Sequence, residues 1–142
     1  MDFLELEKRL IEEGCNPRNI AIQTRSDDAF CLDKINGLWS VFYFERGRDS
    51  APIFSSDSKD EAAKFYLKHI LKQQHWHIVG FFKNEAQAKN LQGRLDKFGI
   101  EYIRNDIPSY KFVGDRRFRI FVVGKDIFKV REQLGIYEVQ SA

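Results

Sequence analysis

Residues 29–47, AFCLDKINGLWSVFYFERG, decide how the chain is read. Asn36-Gly37 supplies the two positive-φ residues of a type I′ turn, whose twist matches that of the strands it joins. The flanking runs are β-branched and aromatic, with Phe30, Leu32 and Ile35 before the turn and Leu38, Trp39, Val41, Phe42, Tyr43 and Phe44 after it. A two-residue loop fixes the register, so Ile35 is expected opposite Leu38, Leu32 opposite Val41 and Phe30 opposite Tyr43. One face then carries Phe30, Leu32, Lys34, Trp39, Val41 and Tyr43. The other carries Cys31, Asp33, Ile35, Leu38, Ser40, Phe42 and Phe44. Both faces are largely apolar, so both are expected to be covered at least in part.

Outward from the hairpin, Asp2 is placed to cap a first helix with Phe3, Leu6, Leu10 and Ile11 on its inner face, stopped by Gly14 and Asn16-Pro17. Asn19–Gln23 reads as a strand and Ser26-Asp27-Asp28 as a turn, giving a three-stranded antiparallel meander. Glu45–Asp49 reads as a polar turn and Ile53-Phe54 as a fourth short strand. Ser58-Lys59-Asp60-Glu61 is a capping box opening a helix whose Ala62, Ala63, Tyr66, Leu67, Ile70 and Leu71 should lie on the meander.

The second half has a different rhythm. Trp76–Phe82, Ile100–Ile103, Arg117–Val123 and Ile136–Val139 read as strands. Asn84 with Gln87, and Asp126, are placed to cap two helices, one striped with Ala88, Leu91, Leu95 and Phe98, the other with Ile127, Val130 and Leu134. The order β-α-β-β-α-β is that of a ferredoxin-like split βαβ unit. The expected fold is therefore α+β. It is one compact domain over 1–142, with sub-structures 1–73 (an N-terminal helix, an antiparallel meander and a capping helix) and 74–142 (βαββαβ).

Length and composition suit a folded domain with a Phe-rich core, 13 of the 142 residues being Phe. The amino terminus, MDFLELEKRL, lacks the basic region and apolar core of a secretory signal, and no apolar run has the ~20 residues that span a bilayer. Cys15 and Cys31 match no CxxC spacing. A reduced, cytosolic setting is the simplest reading, with a Cys15–Cys31 disulfide as the alternative. The net charge of +2 is too mild to point to nucleic acid. The charge is nevertheless sided: residues 1–72 hold 11 Lys+Arg against 13 Asp+Glu, and residues 73–142 hold 12 against 8.

No arrangement of residues points to catalysis. The serines include no GxSxG setting, there is no Gly-rich phosphate loop, and Asp27-Asp28 falls in a turn. His69, His75 and His77 cluster in sequence, and His75 and His77 would share a strand face. A zinc site needs further ligands at suitable spacing, so partly exposed histidines beside a core strand are the simpler reading. No cofactor is expected. Arg116, Arg117 and Arg119 with Phe118 and Phe121 invite a nucleic-acid reading, but Phe118 and Phe121 are three apart and face opposite ways. The expectation is Phe118, Ile120 and Val122 inward, with Arg117 and Arg119 on the wet face.

Arg104–Arg116, RNDIPSYKFVGDR, is longer than an ordinary connection and mixes aromatics with both charge signs. Long loops of this kind are often binding loops, and Tyr and Arg are residue types that interfaces favour. Asp106, Tyr110, Phe112, Asp115 and Arg116 are its candidate contacts. Glu45, Arg46 and Arg48 at the hairpin exit form a second candidate patch. A flexible loop with no role is the alternative.

The run Trp39, Val41, Tyr43, Glu45, Arg46 and Gly47, followed by Phe54, Glu61 and Ala62, resembles small bacterial immunity proteins of polymorphic-toxin systems, including contact-dependent growth inhibition. In that group a W-x-V-x-Y-x-E-R-G strand leads through a short loop and a Phe into an acid-capped helix. The likeness covers roughly the first half, and Gly14–Pro17 after the amphipathic helix fits it. It implies a cytoplasmic protein, not an enzyme, that binds and neutralises one toxin domain, such as a nuclease. A second likeness, over Ile78–Phe82, Ala86–Leu95, Gly99 and Phe118–Gly124, is to the SPOR pattern of peptidoglycan-binding domains. It would imply peptidoglycan binding, although SPOR domains act beyond a membrane anchor and no apolar run of bilayer length accompanies the pattern here. The alternative function is a ligand- or nucleic-acid-binding module built on the βαββαβ half.

Overall fold

The computed structural model describes residues 1–137. The protein is α+β, with four α-helices and eight strands in two sheets among the described residues. It divides into two compact units, Met1–His75 and one that begins at Trp76.

The first unit is built on β2 (Ala29–Ile35) and β3 (Leu38–Glu45), which pair antiparallel in the expected register: Ile35 opposite Leu38, Leu32 opposite Val41, Phe30 opposite Tyr43. Asn36 and Gly37 have φ of 51° and 82°, as a type I′ turn requires. Strand β5 (Phe54–Ser56) pairs antiparallel with the middle of β3, and β4 (Arg48–Asp49) with its end. Strand β1 (Ala21–Ile22) departs from the meander, because it pairs with β2 in parallel. Gln23 and Asp28 both stand in the left-handed region, φ 59° and 57°. Each bends the chain, so the 23–28 segment reverses it twice and restores its direction.

Helices α1 (Phe3–Glu12) and α2 (Lys59–Leu71) cover one sheet face. Asp2 caps α1 by accepting from the Glu5 N–H at 2.7 Å. Phe3, Leu6 and Leu10 are buried with Leu32, Val41, Ala62, Ala63, Tyr66 and Ile70. Ile11 and Leu71, expected in the same stripes, are exposed because each sits at a helix end where the apolar face turns away from the sheet. The α2 cap is relayed through one more residue than a simple capping box. Ser58 Oγ accepts from Glu61 N–H, but Glu61 takes its hydrogen bond from Ser56 Oγ at 2.8 Å, and Ser56 Oγ in turn accepts from Ser58 N–H at 3.0 Å. The cap thus ties α2 to β5. The opposite sheet face buries the smaller cluster Ala21, Cys31 and Phe42, flanked by the partly buried Ile35 and Phe44, so this face is covered in part, with Leu38 left exposed.

In the second unit, β6 (Trp76–Phe82) and β7 (Ile103–Arg104) flank β8 (Phe118–Val123), antiparallel to both. With α3 (Glu85–Lys97) between β6 and β7, this is a split β-α-β arrangement, and α4 (Asp126–Leu134) follows. Phe118, Ile120 and Val122 face inward onto Ala88, Leu91, Leu95, Ile127 and Val130. Phe98 is exposed, because α3 ends at Lys97 and Gly99, at φ 65°, turns the chain back toward the sheet through Ile100. The strand expected at Ile100–Ile103 is confined to Ile103–Arg104. Asp126 does not cap α4. Gly124, at φ 58°, swings the chain directly from β8 into the helix, so Lys125 is the N-cap and Asp126 lies in the first turn. Of the last expected strand, Ile136 and Tyr137 make no strand pairing, and residues 138–139 lie outside the described residues.

Candidate partner-binding surfaces

The hairpin exit in the first unit is a second tight turn. Arg46 and Gly47, at φ 51° and 74°, repeat the backbone of Asn36-Gly37 and bring Glu45 opposite Arg48. The turn is braced from the preceding loop, where Asp27 Oδ1 accepts from Arg46 N–H at 3.0 Å and Asp28 N–H donates to Phe44 O at 2.8 Å. Beside it, Arg25 grips Asp49 with two bonds of 2.9 Å and Asp33 with one of 2.8 Å, its guanidinium 4.9 Å from the Phe42 ring. Its hydrogen bond to Asp49 is the main reason that the Asp49 carboxyl lies below its ordinary range. Arg25 thereby roofs the smaller core cluster. Glu45, Arg46 and Arg48 are exposed, and with Tyr43, Asp49 and Ser50 they line an open groove of about 530 Å³. Burial raises the Tyr43 hydroxyl, and nearby Asp28, Glu45 and Asp27 raise it further.

In the second unit the 104–117 segment is ordered by a chain of internal bonds. Arg104 donates to Asp106 at 3.1 Å, Gln92 at 2.9 Å and Glu85 at 3.3 Å. Ile107 and Arg117 exchange backbone hydrogen bonds of 2.8 Å. Beyond them the chain closes on itself: Tyr110 N–H donates to Asp115 O at 2.8 Å, Asp115 N–H to Phe112 O at 3.0 Å, Lys111 N–H to Asp115 Oδ2 at 3.0 Å, and Gly114 N–H to Ser109 Oγ at 3.1 Å. Gly114 sits at φ 83°, where a side chain would be strained.

Arg117 corrects the sequence reading. Strand parity puts it on the outer sheet face, but it is 4% exposed. The loop folds back and lays Tyr110 over it, ring centroid 4.9 Å from the guanidinium, with Tyr110 also edge-on to Phe81 at 5.3 Å. The guanidinium is ion-paired to Asp115 and donates to Arg116 O at 3.0 Å. Burial pulls the Asp115 carboxyl up, but the Arg117 bond, the Lys111 N–H and the nearby cations outweigh it and hold it below its ordinary range.

The candidate loop contacts therefore separate into two sets. Tyr110, Asp115 and Asp106 are bonded or packed within the loop's own structure, whereas Phe112 and Arg116 are exposed. Val113 and Lys111 join the exposed set and were not singled out from sequence. Val113, next to a glycine in a polar loop, was the available signal. Phe112 is 67% and Val113 94% exposed.

His75 and His77 are buried rather than partly exposed. His75 lies just before β6 and is enclosed by residues distant in sequence. Its Nδ1 lies 3.2 Å from both Asn16 N–H and Asn19 Nδ2, and its Nε2 lies 2.9 Å from Ile70 O. His69 stands between the rings of Phe30, 4.4 Å away, and Phe65, 5.9 Å away. Burial, then Lys72, lowers its pKa. Among the described residues no group of three or more His, Cys, Asp or Glu is arranged to hold a metal ion, and no helix is long and apolar enough to cross a membrane. Cys15 and Cys31 are both free thiols and buried.

Comparison with protein-family models, with curated proteins and with solved structures finds no match to this chain.

Proposed function

We propose that the chain is a cytoplasmic immunity protein that binds a cognate bacterial toxin domain and neutralises it by protein–protein contact. The observation that carries this reading is the placement of the residues behind the likeness. Trp39, Val41 and Tyr43 alternate along β3 on the face turned toward α2. Glu45, Arg46 and Gly47 form its exit turn, Phe54 pairs opposite Val41, and Glu61 closes the α2 cap through Ser56 on β5. Two paired strands, the turn that leaves β3 and one helix hold the whole set, and its exposed Glu45, Arg46 and Gly47 stand together at that turn.

The surfaces suit binding rather than chemistry. The hairpin exit offers a charged groove beside a half-buried tyrosine, and the second unit offers an apolar tip on an ordered loop. Tyr, Phe and Arg on pre-ordered backbone are what protein interfaces use as anchors. Neutralisation then follows either from covering the toxin's active site or from occupying a neighbouring surface and blocking substrate. Immunity genes stand beside their toxin genes, which defines the test. The toxin domain encoded by the adjacent reading frame is expressed with and without this chain. Cells are expected to survive only with it, and a stable complex is expected on co-purification through high salt. Cell death in both cases would sink the proposal.

A further inference from the structure

We infer that the 109–115 tip is the anchor of the interface and that the toxin receives it in an apolar pocket rimmed by carboxylates. This rests on the immunity reading and adds to it the part of the surface that docks and the chemistry of its receptor.

Phe112 and Val113 are adjacent, large and apolar, and at 67% and 94% exposed they are the most exposed apolar pair in the described loops. The loop does not lack the means to bury an aromatic: Tyr110, two residues away, packs onto Phe81 and Arg117. The same turn that folds Tyr110 inward projects Phe112 and Val113 outward. Four hydrogen bonds close it, and Gly114 supplies the left-handed residue it needs. A tip ordered before binding loses little freedom on docking, which is the property of a good anchor.

The charges around the tip define the receptor. Asp106 is held by Arg104, and Asp115 by Arg117 and the Lys111 N–H, so the loop's acids are matched internally. The exposed charged side chains next to the tip in sequence are Lys111 and Arg116. The complementary surface is therefore an apolar pocket with an acidic rim. A bilayer fits less well, because two apolar side chains and two cations fall short of the paired signals that stable membrane anchoring needs.

The test measures binding of the full chain to the purified toxin domain of the adjacent reading frame, by titration calorimetry at two salt concentrations. The double variant Phe112→Ala/Val113→Ala is expected to weaken binding by about 30-fold or more while keeping the parent's melting transition, since both side chains are exposed. Lys111→Glu/Arg116→Glu is expected to weaken it by about tenfold and to reduce its salt dependence. If the parent binds and the double alanine variant binds equally well, the tip assignment is wrong and the immunity reading stands. Tighter binding by the charge-reversed variant overturns the acidic rim. If the parent itself does not bind, both readings fall.

Discussion

Replacing Tyr66 by Phe tests the packing of the first unit, because it deletes one oxygen and leaves the ring. Tyr66 is fully buried on α2. Its hydroxyl accepts from Ala21 N–H at 3.0 Å and donates to Phe30 O at 2.8 Å. It therefore ties the parallel strand β1 to the hairpin, and burial holds its pKa well above that of an ordinary tyrosine. Without the hydroxyl, the Ala21 N–H is left without its acceptor at a residue that is 0% exposed. An orphaned buried donor costs about 1–3 kcal/mol and the second lost bond about 1 kcal/mol, so the expected loss is roughly 2–4 kcal/mol. That is a large part of the ~5–15 kcal/mol that holds a domain folded. Trp39 reports on this unit, since its ring meets Phe3 edge-on at 5.1 Å. Urea unfolding followed by fluorescence in a Trp76→Phe background isolates that signal. With a slope of ~1.5 kcal/mol/M, the midpoint should fall by about 1.3–2.7 M. A fall under ~0.3 M would refute the argument, because it would mean that the Ala21 N–H finds water or another acceptor at no cost.

Three further outcomes follow from particular contacts. Asp115→Ala leaves the Arg117 guanidinium buried and without its counter-ion, which should destabilise the loop and speed amide exchange at Tyr110 and Lys111; unchanged exchange would remove Asp115 from the loop's support. Gly80→Ala places a Cβ 2.6 Å from the Phe82 ring and 2.8 Å from a Leu91 methyl, beside the register shift between Ile78 and Gly80, and should destabilise the second unit by about 1–3 kcal/mol in thermal unfolding followed by circular dichroism; a neutral result would show that Phe82 swings aside freely. The Cys15 thiol is pushed up from 9.0 to about 11, by burial first and then by Glu13. Because the folded value exceeds the unfolded one, this contribution is fully present below pH 9 and is lost as pH rises through 11, so Cys15→Ala should flatten the stability–pH curve across that window; an identical curve would contradict it.

The hairpin was legible to the residue because Asn-Gly admits one turn type and a two-residue loop one register. The helix caps at Asp2, Ser58 and Asn84 were legible for the same local reason. The errors are where conformation or contact is not local. Arg46-Gly47 makes the same kind of turn as Asn36-Gly37, but arginine seldom takes a left-handed backbone, so the segment read only as polar. Gln23 and Asp28 hide the parallel pairing of β1 in the same way. Strand parity gave the direction of the Arg117 side chain correctly, but only the folded-back loop, with Tyr110 and Asp115, decides that it is buried. His75 likewise owes its burial to Asn16 and Asn19, more than fifty residues earlier in the chain. The two candidate surfaces could be located from composition and loop length. Which of their side chains point outward depended on those same long-range contacts.

The measurement that bears most directly on the central claim is survival and complex formation in cells carrying the adjacent toxin domain, with this chain present or absent. Survival only in its presence, with the two proteins recovered together through high salt, is the predicted result. Recovery of this chain alone, with no protection, would contradict the immunity reading.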